Sequence, residues 1–328
     1  MRGSRQDPDA GSKPVQLFPL QKWIPILKDG SNSRPANGSK AFIELPSTVR
    51  RFSYEELLVG TQNLSASLLV GRGGFGPVYQ LKADGVEYAV KVGTNLPDAG
   101  VGQGRHEFEN EALLLWMWKH PRIVSLAGVS DGQFPCLIYE YMPGGSLSSV
   151  IHDSRRAAQF GPVKRLMVAA DVANALMYLH EGGRGVKPKN NKVKKAVVLH
   201  RDINSSNVLL DQDGRGKLGD FGLSAMLHEV DVDSGMVMSG NQVVGQWAWS
   251  APEAQELGNM TASDIYSFGL ILLQMLSGCE DSILPTVRIS AAMPGTDPVL
   301  DDRLAPHDPW PAMISEAVSK LSYDPRTS

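Results

Sequence analysis

The stretch from Leu199 to Gly222, LHRDINSSNVLLDQDGRGKLGDFG, constrains this chain more than any other. It holds His200-Arg201-Asp202, then four residues, then Asn207, then Asp220-Phe221-Gly222 thirteen positions on. The apolar runs Asn207-Val208-Leu209-Leu210 and Lys217-Leu218 predict two short strands. Asp211-Gln212-Asp213-Gly214 between them is turn chemistry, because Asp and Gly tolerate tight-turn dihedrals. Such a hairpin carries Asp202 and Asn207 at its start and Asp220 at its end, all on one rim. Two carboxylates and an amide on one rim suit Mg²⁺, which takes a few oxygen ligands together with phosphate oxygens. Each Asp taken singly reads as a turn or a cap; the ordered set is what is specific.

That set resembles the catalytic loop and the metal-binding motif of protein kinases. The resemblance implies, upstream, a loop that covers phosphates and a lysine–glutamate pair. Gly71-Arg72-Gly73-Gly74-Phe75-Gly76-Pro77-Val78-Tyr79 supplies the first. A dinucleotide-binding turn is the rival reading of these glycines, but that fold requires a helix after them. Here Val78 to Lys82 alternates like a strand and Asp84-Gly85 marks a hairpin turn. A strand, a glycine loop and a returning strand match the kinase flap, where Gly lets the backbone lie close over phosphates.

The returning strand, Tyr88-Ala89-Val90-Lys91-Val92, sets Lys91 in apolar surroundings where an uncompensated ammonium would be costly. A lysine snorkelling from a sheet face is the bland alternative. Glu111 lies on a helix predicted from His106 to Trp118, on one face with Phe108 and Leu115. A carboxylate on an apolar face asks for a cation; Glu107, one turn earlier, is the other candidate. In the family a glutamate of this helix pairs with the strand lysine, and the spacing of EFENEALLL ahead of His120-Pro121 favours Glu111.

Residues 136–152, CLIYEYMPGGSLSSVIH, resemble the segment that joins the two kinase lobes and hydrogen-bonds adenine. Tyr139 falls at the gatekeeper position, followed by Glu140, Tyr141 and Met142; a tyrosine there is a feature of the Pelle and receptor-like branch. The stretch RFSYEELLVGTQNLS, residues 51–65, is similar to the lead-in of plant receptor-like and Pelle-type kinases. Its Ser53 and Glu56 have capping-box spacing for a short helix, and Ser146 stands ready to cap the helix after Pro143-Gly144-Gly145. Residues 164–181 place Leu166, Ala170, Ala173, Met177 and His180 at helical spacing, which predicts a core helix with those residues inward. The basic run that follows, Arg184, Lys187, Lys189, Lys192, Lys194 and Lys195, is longer than the family's usual connection and reads first as a solvated insertion. Residues 261–278, TASDIYSFGLILLQMLSG, predict a helix apolar nearly all round, with Asp264 able to cap its start and, by resemblance, to anchor the catalytic loop.

The resemblance covers about residues 51–328 and implies an α+β, bilobal protein-kinase fold. A small antiparallel-β lobe with one helix would span about 64–141, and a larger, mainly helical lobe about 142–328, within a kinase domain of residues 50–328. It implies ATP in the cleft and transfer of its γ-phosphate to Ser/Thr hydroxyls of a protein substrate. Lys91 and Glu111 would place ATP, Asn207 and Asp220 would hold Mg²⁺, and Asp202 would accept the hydroxyl proton. Gly71, Arg72, Gly73, Gly74, Phe75, Gly76, Val78, Ala89, Tyr139, Glu140, Met142 and Leu209 would line the nucleotide site. His200 is expected to be a packed core histidine, and Arg201 to meet a phosphate on the activation segment, where Ser234 and Ser239 are candidate phosphosites or ordinary loop serines.

Two positions depart from the family pattern. Asn204 stands where kinases of this branch carry a lysine near the γ-phosphate, and Gln246 replaces the threonine of the substrate loop. Loss of one preorganised cation costs about 2–4 kcal/mol of barrier lowering. This keeps a pseudokinase, a nucleotide-binding signalling scaffold, as the alternative. The chain ends at SYDPRTS, short of the arginine that pairs with the family's equivalent of Glu253; a truncated product of marginal stability is the expectation.

Composition agrees without deciding. Residues 1–49 are rich in Gly, Ser, Pro, Asn and Asp, which predicts disorder around the apolar island Trp23 to Leu27. A net charge of −3 gives no pull towards nucleic acid. Cys136 and Cys279 are too few for a disulfide framework, which suits a reducing compartment. With no signal-peptide core and no run of membrane-spanning length, the expectation is a cytoplasmic protein, membrane-associated only through an upstream receptor, an adaptor or a missing N-terminal region.

Overall fold

The computed structural model describes residues 45–73, 76–93, 103–131, 134–181, 196–228, 249, 251, 261–287 and 301–303. Six strands form the first layer: β1 (Arg50–Arg51), β2 (Leu69–Gly73), β3 (Gly76–Ala83), β4 (Val86–Val92), β5 (Leu126–Asp131) and β6 (Pro135–Glu140). Their order is β1-β5-β6-β4-β3-β2, antiparallel throughout except for the parallel pair β1–β5. The β3–β4 hairpin turns on Asp84 (φ 51°) and Gly85 (φ 75°), the left-handed pair that an Asp-Gly turn supplies.

Period-two alternation gives this sheet two different faces. Along β6, Cys136 and Ile138 join Val90, Val92, Leu81, Phe52 and Leu57 in a small apolar cluster. Leu137 and Tyr139 point the other way, into the main core with Val129, Phe108 and Leu115. Helix α1 (Tyr54–Gly60) lies on the first side. It starts at the predicted capping box: Glu56 N donates to Ser53 Oγ at 3.1 Å and Ser53 N donates to Glu56 Oε2 at 2.7 Å. Helix α2 (Gln103–Met117) serves the second side and begins three residues before the predicted start. Residues 1–44 of the predicted disordered segment lie outside the described residues; of the remainder, Leu45 is buried in the main core.

The second lobe holds α3 (Leu147–Ile151), α4 (Ser154–Gln159), α5 (Pro162–Glu181) and α6 (Thr261–Ser277). Ser146 Oγ accepts from Ser149 N and so caps α3 as expected. The predicted hairpin is present as β9 (Val208–Leu210) against β10 (Gly216–Leu218), and β7 (Gly145–Ser146) extends it to three strands. Gly144 lets the chain cross there, because a Cβ would sit 2.6 Å from Leu210 Cβ and 2.7 Å from Leu210 O. Strands β8 (Ala196–Leu199) and β11 (Ala225–His228) pair across the base of the catalytic loop.

Helix α5 corrects the sequence reading. Its core stripe is Val168, Ala169, Val172, Ala175, Leu176 and Leu179, whereas Leu166, Ala170, Ala173 and Met177 face outward, with Leu166 45% and Met177 52% exposed. The buried stripe also holds Arg165 and Asp171, and two charges disguised it as the polar side. Partners remote in sequence make their burial tolerable: Asp301 for Arg165, and Arg122 and Arg215 for Asp171. Helix α6 is apolar as predicted, but Asp264, in its first turn, gives its carboxylate to the catalytic loop rather than to a helix cap.

Candidate active site

Four elements converge between the lobes. Lys91 on β4 shares a sheet face with Ala89 and pairs in register with Leu137 and Val78, so its side chain leaves the sheet towards α2. There Lys91 Nζ donates to Glu111 Oε2 at 2.8 Å and to Asp220 Oδ1 at 3.1 Å. Glu111 is therefore the lysine's partner, and Glu107 instead acts electrostatically on Arg201. The three side chains are unequally covered: Lys91 is 5% exposed, Glu111 1% and Asp220 35%.

Burial by itself would lower the Lys91 pKa, but the two carboxylates outweigh it and raise it above the ordinary lysine value. Burial pushes Glu111 up; Lys91 opposes that shift and the like charge of Asp220 adds to it. Asp220 resists a similar burial effect and stays below the ordinary carboxylate value because Lys91 faces it. One ammonium thus serves two carboxylates, and the more exposed of them, Asp220, is the one shifted below its ordinary value. Burial, with Glu111 and Asp220 nearby, raises the Tyr139 phenol well above its usual value.

The catalytic loop is held from below by α6. His200 N donates to Asp264 Oδ2 at 2.8 Å, and Arg201 N donates to Asp264 Oδ1 at 2.9 Å. This fixes Arg201 at φ 71°, while Asp220 at the far end of the hairpin sits at φ 59°. Left-handed backbone at a non-glycine residue costs about 1–3 kcal/mol and persists only where surrounding structure enforces it. His200 is fully buried, its ring nitrogen Nε2 is 3.0 Å from Gly219 O, and its ring meets Phe221 edge-on at 4.7 Å. It is the packed histidine expected, and burial depresses its pKa.

Asp202 stands at the rim. Asn207 Nδ2 donates to its Oδ2 at 2.9 Å and Asn204 Nδ2 to its Oδ1 at 3.2 Å. Burial raises the Asp202 pKa; His200 and the two amides oppose the shift and Asp220 reinforces it. With its Nδ2 committed to Asp202, Asn207 keeps an amide oxygen that takes no hydrogen bond among the described residues. That oxygen and the Asp220 carboxylate are the hard donors that fit Mg²⁺.

These groups border a cleft of about 420 Å³. Gly71, Arg72, Gly73 and Val78 roof it; Ala89, Lys91, Glu111 and Tyr139 form its back; Glu140 and Met142 lie on the segment between the lobes. Asn207, Leu209 and Asp220 line the opposite side. Gly76 is described but does not line the cleft, and Asp202 adjoins it through Asn207 rather than lining it. Gly74 and Phe75 lie outside the described residues, as do the basic run 184–195, Ser234, Ser239, Gln246 and Glu253. Sequence reading missed Val124 and Ser149, which also line the cleft. Val124 stands in no motif and Ser149 lies at the helical end of the 136–152 segment without being singled out, since a core valine or a helix serine carries no local signal of a binding wall. It also missed the clamp on Glu140, which accepts from Ser125 N at 2.7 Å and from Lys217 Nζ at 2.6 Å.

A β-sheet lobe, a mainly helical lobe and a cleft floored by this hairpin define the class of protein. A family model described as protein tyrosine and serine/threonine kinase matches residues 64–294, and the chain belongs to that family. Among its relatives in Arabidopsis thaliana, receptor-like kinase LIP2 is 37% identical over 70% of this chain and 39% of its own length. G-type lectin S-receptor-like serine/threonine-protein kinase SD1-1 is 36% identical over 69% of this chain and 26% of its own length. Receptor-like protein kinase ANXUR2 is 34% identical over 77% of this chain and 29% of its own length. These relatives agree with the Pelle and receptor-like branch read from the sequence, and the chain spans well under half the length of each. Among the described residues no helix is long and apolar enough to cross a membrane.

Proposed function

We propose that this chain is an ATP- and Mg²⁺-dependent serine/threonine protein kinase acting in signalling. The observation that carries the reading is Lys91 held between Glu111 and Asp220 at the back of the cleft, with Asn207 linking that cleft to Asp202. Lys91, kept cationic and oriented by Glu111, would hold phosphate oxygens; Asn207 Oδ1 and Asp220 would hold Mg²⁺. When bound, the metal offsets charge on the phosphoryl group in transfer. Asp202 would orient a protein Ser/Thr hydroxyl and take up its proton at a carboxylate oxygen. Protein substrates fit the printed description of the relative SD1-1, a serine/threonine-protein kinase. An upstream receptor or adaptor, and a cytoplasmic setting, belong to the same proposal.

A second reading, a nucleotide-binding scaffold, is favoured by Asn204: a neutral amide occupies the position expected of a lysine and brings no positive charge to offset that of the γ-phosphate. Mg²⁺/ATP-dependent phosphate incorporation into a generic Ser/Thr substrate and into the chain itself separates the two. Incorporation in the native chain that falls by about 10²–10⁴-fold in Asp202→Asn supports the kinase. No incorporation, with ATP still raising the melting temperature, supports the scaffold.

A further inference from the structure

Asn204 is 1% exposed, and its side chain does more than fill space. Its Oδ1 accepts from Ser206 N at 2.9 Å and Asn207 N at 3.1 Å, closing the turn that ends at Asn207. Its Nδ2 reaches back to Asp202, 3.2 Å from the backbone oxygen and 3.2 Å from the carboxylate Oδ1. Asn207 Nδ2 mirrors this on the other oxygen, at 2.9 Å from Oδ2. The carboxylate is therefore gripped from both sides by amides of its own loop, and the Asn204 grip has the longer hydrogen bond of the two.

We propose that Asn204 is a positioning residue that holds the Asp202 carboxylate at the angle required to meet the acceptor hydroxyl. The inference rests on the kinase reading above. A neutral amide can donate to Asp202 without an ammonium in this buried loop, where an ion would need further partners. Asn204 acts through Asp202 and is not among the residues lining the cleft, so its influence falls on the acceptor side of the reaction rather than on nucleotide binding.

The test uses the full chain with a Ser/Thr peptide. Asn204→Asp retains the oxygen that Ser206 N and Asn207 N bond to but replaces the donor facing Asp202 with a repelling oxygen. Its kcat should fall by about ten-fold or more, with the KM for Mg²⁺-ATP within about two-fold of the native value. Asn204→Ser, which can both accept and donate, should recover part of the loss. A native kcat in Asn204→Asp, a rise in nucleotide KM that matches the loss, or no recovery in Asn204→Ser would overturn the proposal. If the native chain transfers no phosphate, the kinase reading fails, and side-chain NMR still decides this one. The Asn204 Nδ2 protons should shift and exchange faster with water in Asp202→Ala; resonances indifferent to that change would overturn it.

Discussion

Among the described residues, two clusters bury a cation against carboxylates, and they are finished differently. In the large lobe Arg165 is 0% exposed and Asp301 1%. Every guanidinium nitrogen of Arg165 is used: Nε donates to Phe160 O, one terminal nitrogen to Met275 O, and the other to Ala157 O and Asp301 Oδ2. Arg303 closes the other side of Asp301. In the cleft, by contrast, Lys91 holds Glu111 out of water while Asp220 remains 35% exposed. The first cluster has its polar groups satisfied internally and ties α5 and α6 to the chain at 301–303. The second leaves the Asp220 carboxylate partly open to the cleft, where water or a ligand can meet it, the arrangement of a functional site rather than of a closed core.

Asp301→Asn should break the closed cluster outright. Leaving a buried guanidinium without its counter-charge costs about 3–5 kcal/mol, read as a lower denaturation midpoint at unchanged slope, and ATP should not restore it. Lys91→Met attacks the open cluster. Phosphate transfer should fall by about 10²–10³-fold, with a smaller stability loss than Asp301→Asn because Asp220 can be solvated through the cleft and Glu111, which burial already pushes towards its neutral form, can take up a proton. A midpoint drop equal to that of Asp301→Asn would mean the two clusters are alike.

Acid provides a third contrast. Burial would raise the Asp301 pKa, but Arg303 and Arg165 hold it below the ordinary value of 3.8. Its stabilisation is therefore present above that value and is lost as pH falls through the depressed one. The midpoint gap between native chain and Asp301→Asn, wide at pH 6, should narrow below pH 3.8. The smallest effect concerns the outward stripe of α5. Leu166→Gln should change stability by no more than about 0.5 kcal/mol, whereas Val172→Ala, on the buried stripe, should cost over 1 kcal/mol (on the order of 1–3). Equal costs in thermal melts would restore the inward placement that the helical spacing suggested.

Much of the site was legible because kinase motifs are local. Ser53 with Glu56, Asp84-Gly85 and the Asp211–Gly214 turn each specify their own backbone within a few residues. The β9–β10 hairpin follows from its apolar runs, and with it the shared rim of Asp202, Asn207 and Asp220. The orientation of α5 was not legible. Apolar residues occupy both sides of that helix, and the true inner side contains Arg165 and Asp171, whose partners lie at Asp301, Arg122 and Arg215. No window along the sequence contains such a pair, so periodicity alone assigned the charged side to water.

The sequence by itself determined the element types, the order of motifs and the chemistry available at the cleft, since turn dihedrals, caps and alternation act over short range. Only the tertiary structure decided that Lys91 serves Glu111 and Asp220 together, that Asn204 and Asn207 grip Asp202 from opposite sides, and which face of α5 is core. Those outcomes depend on desolvation and charge pairing between residues far apart in the chain, and such energies exist only once folding has brought the partners together.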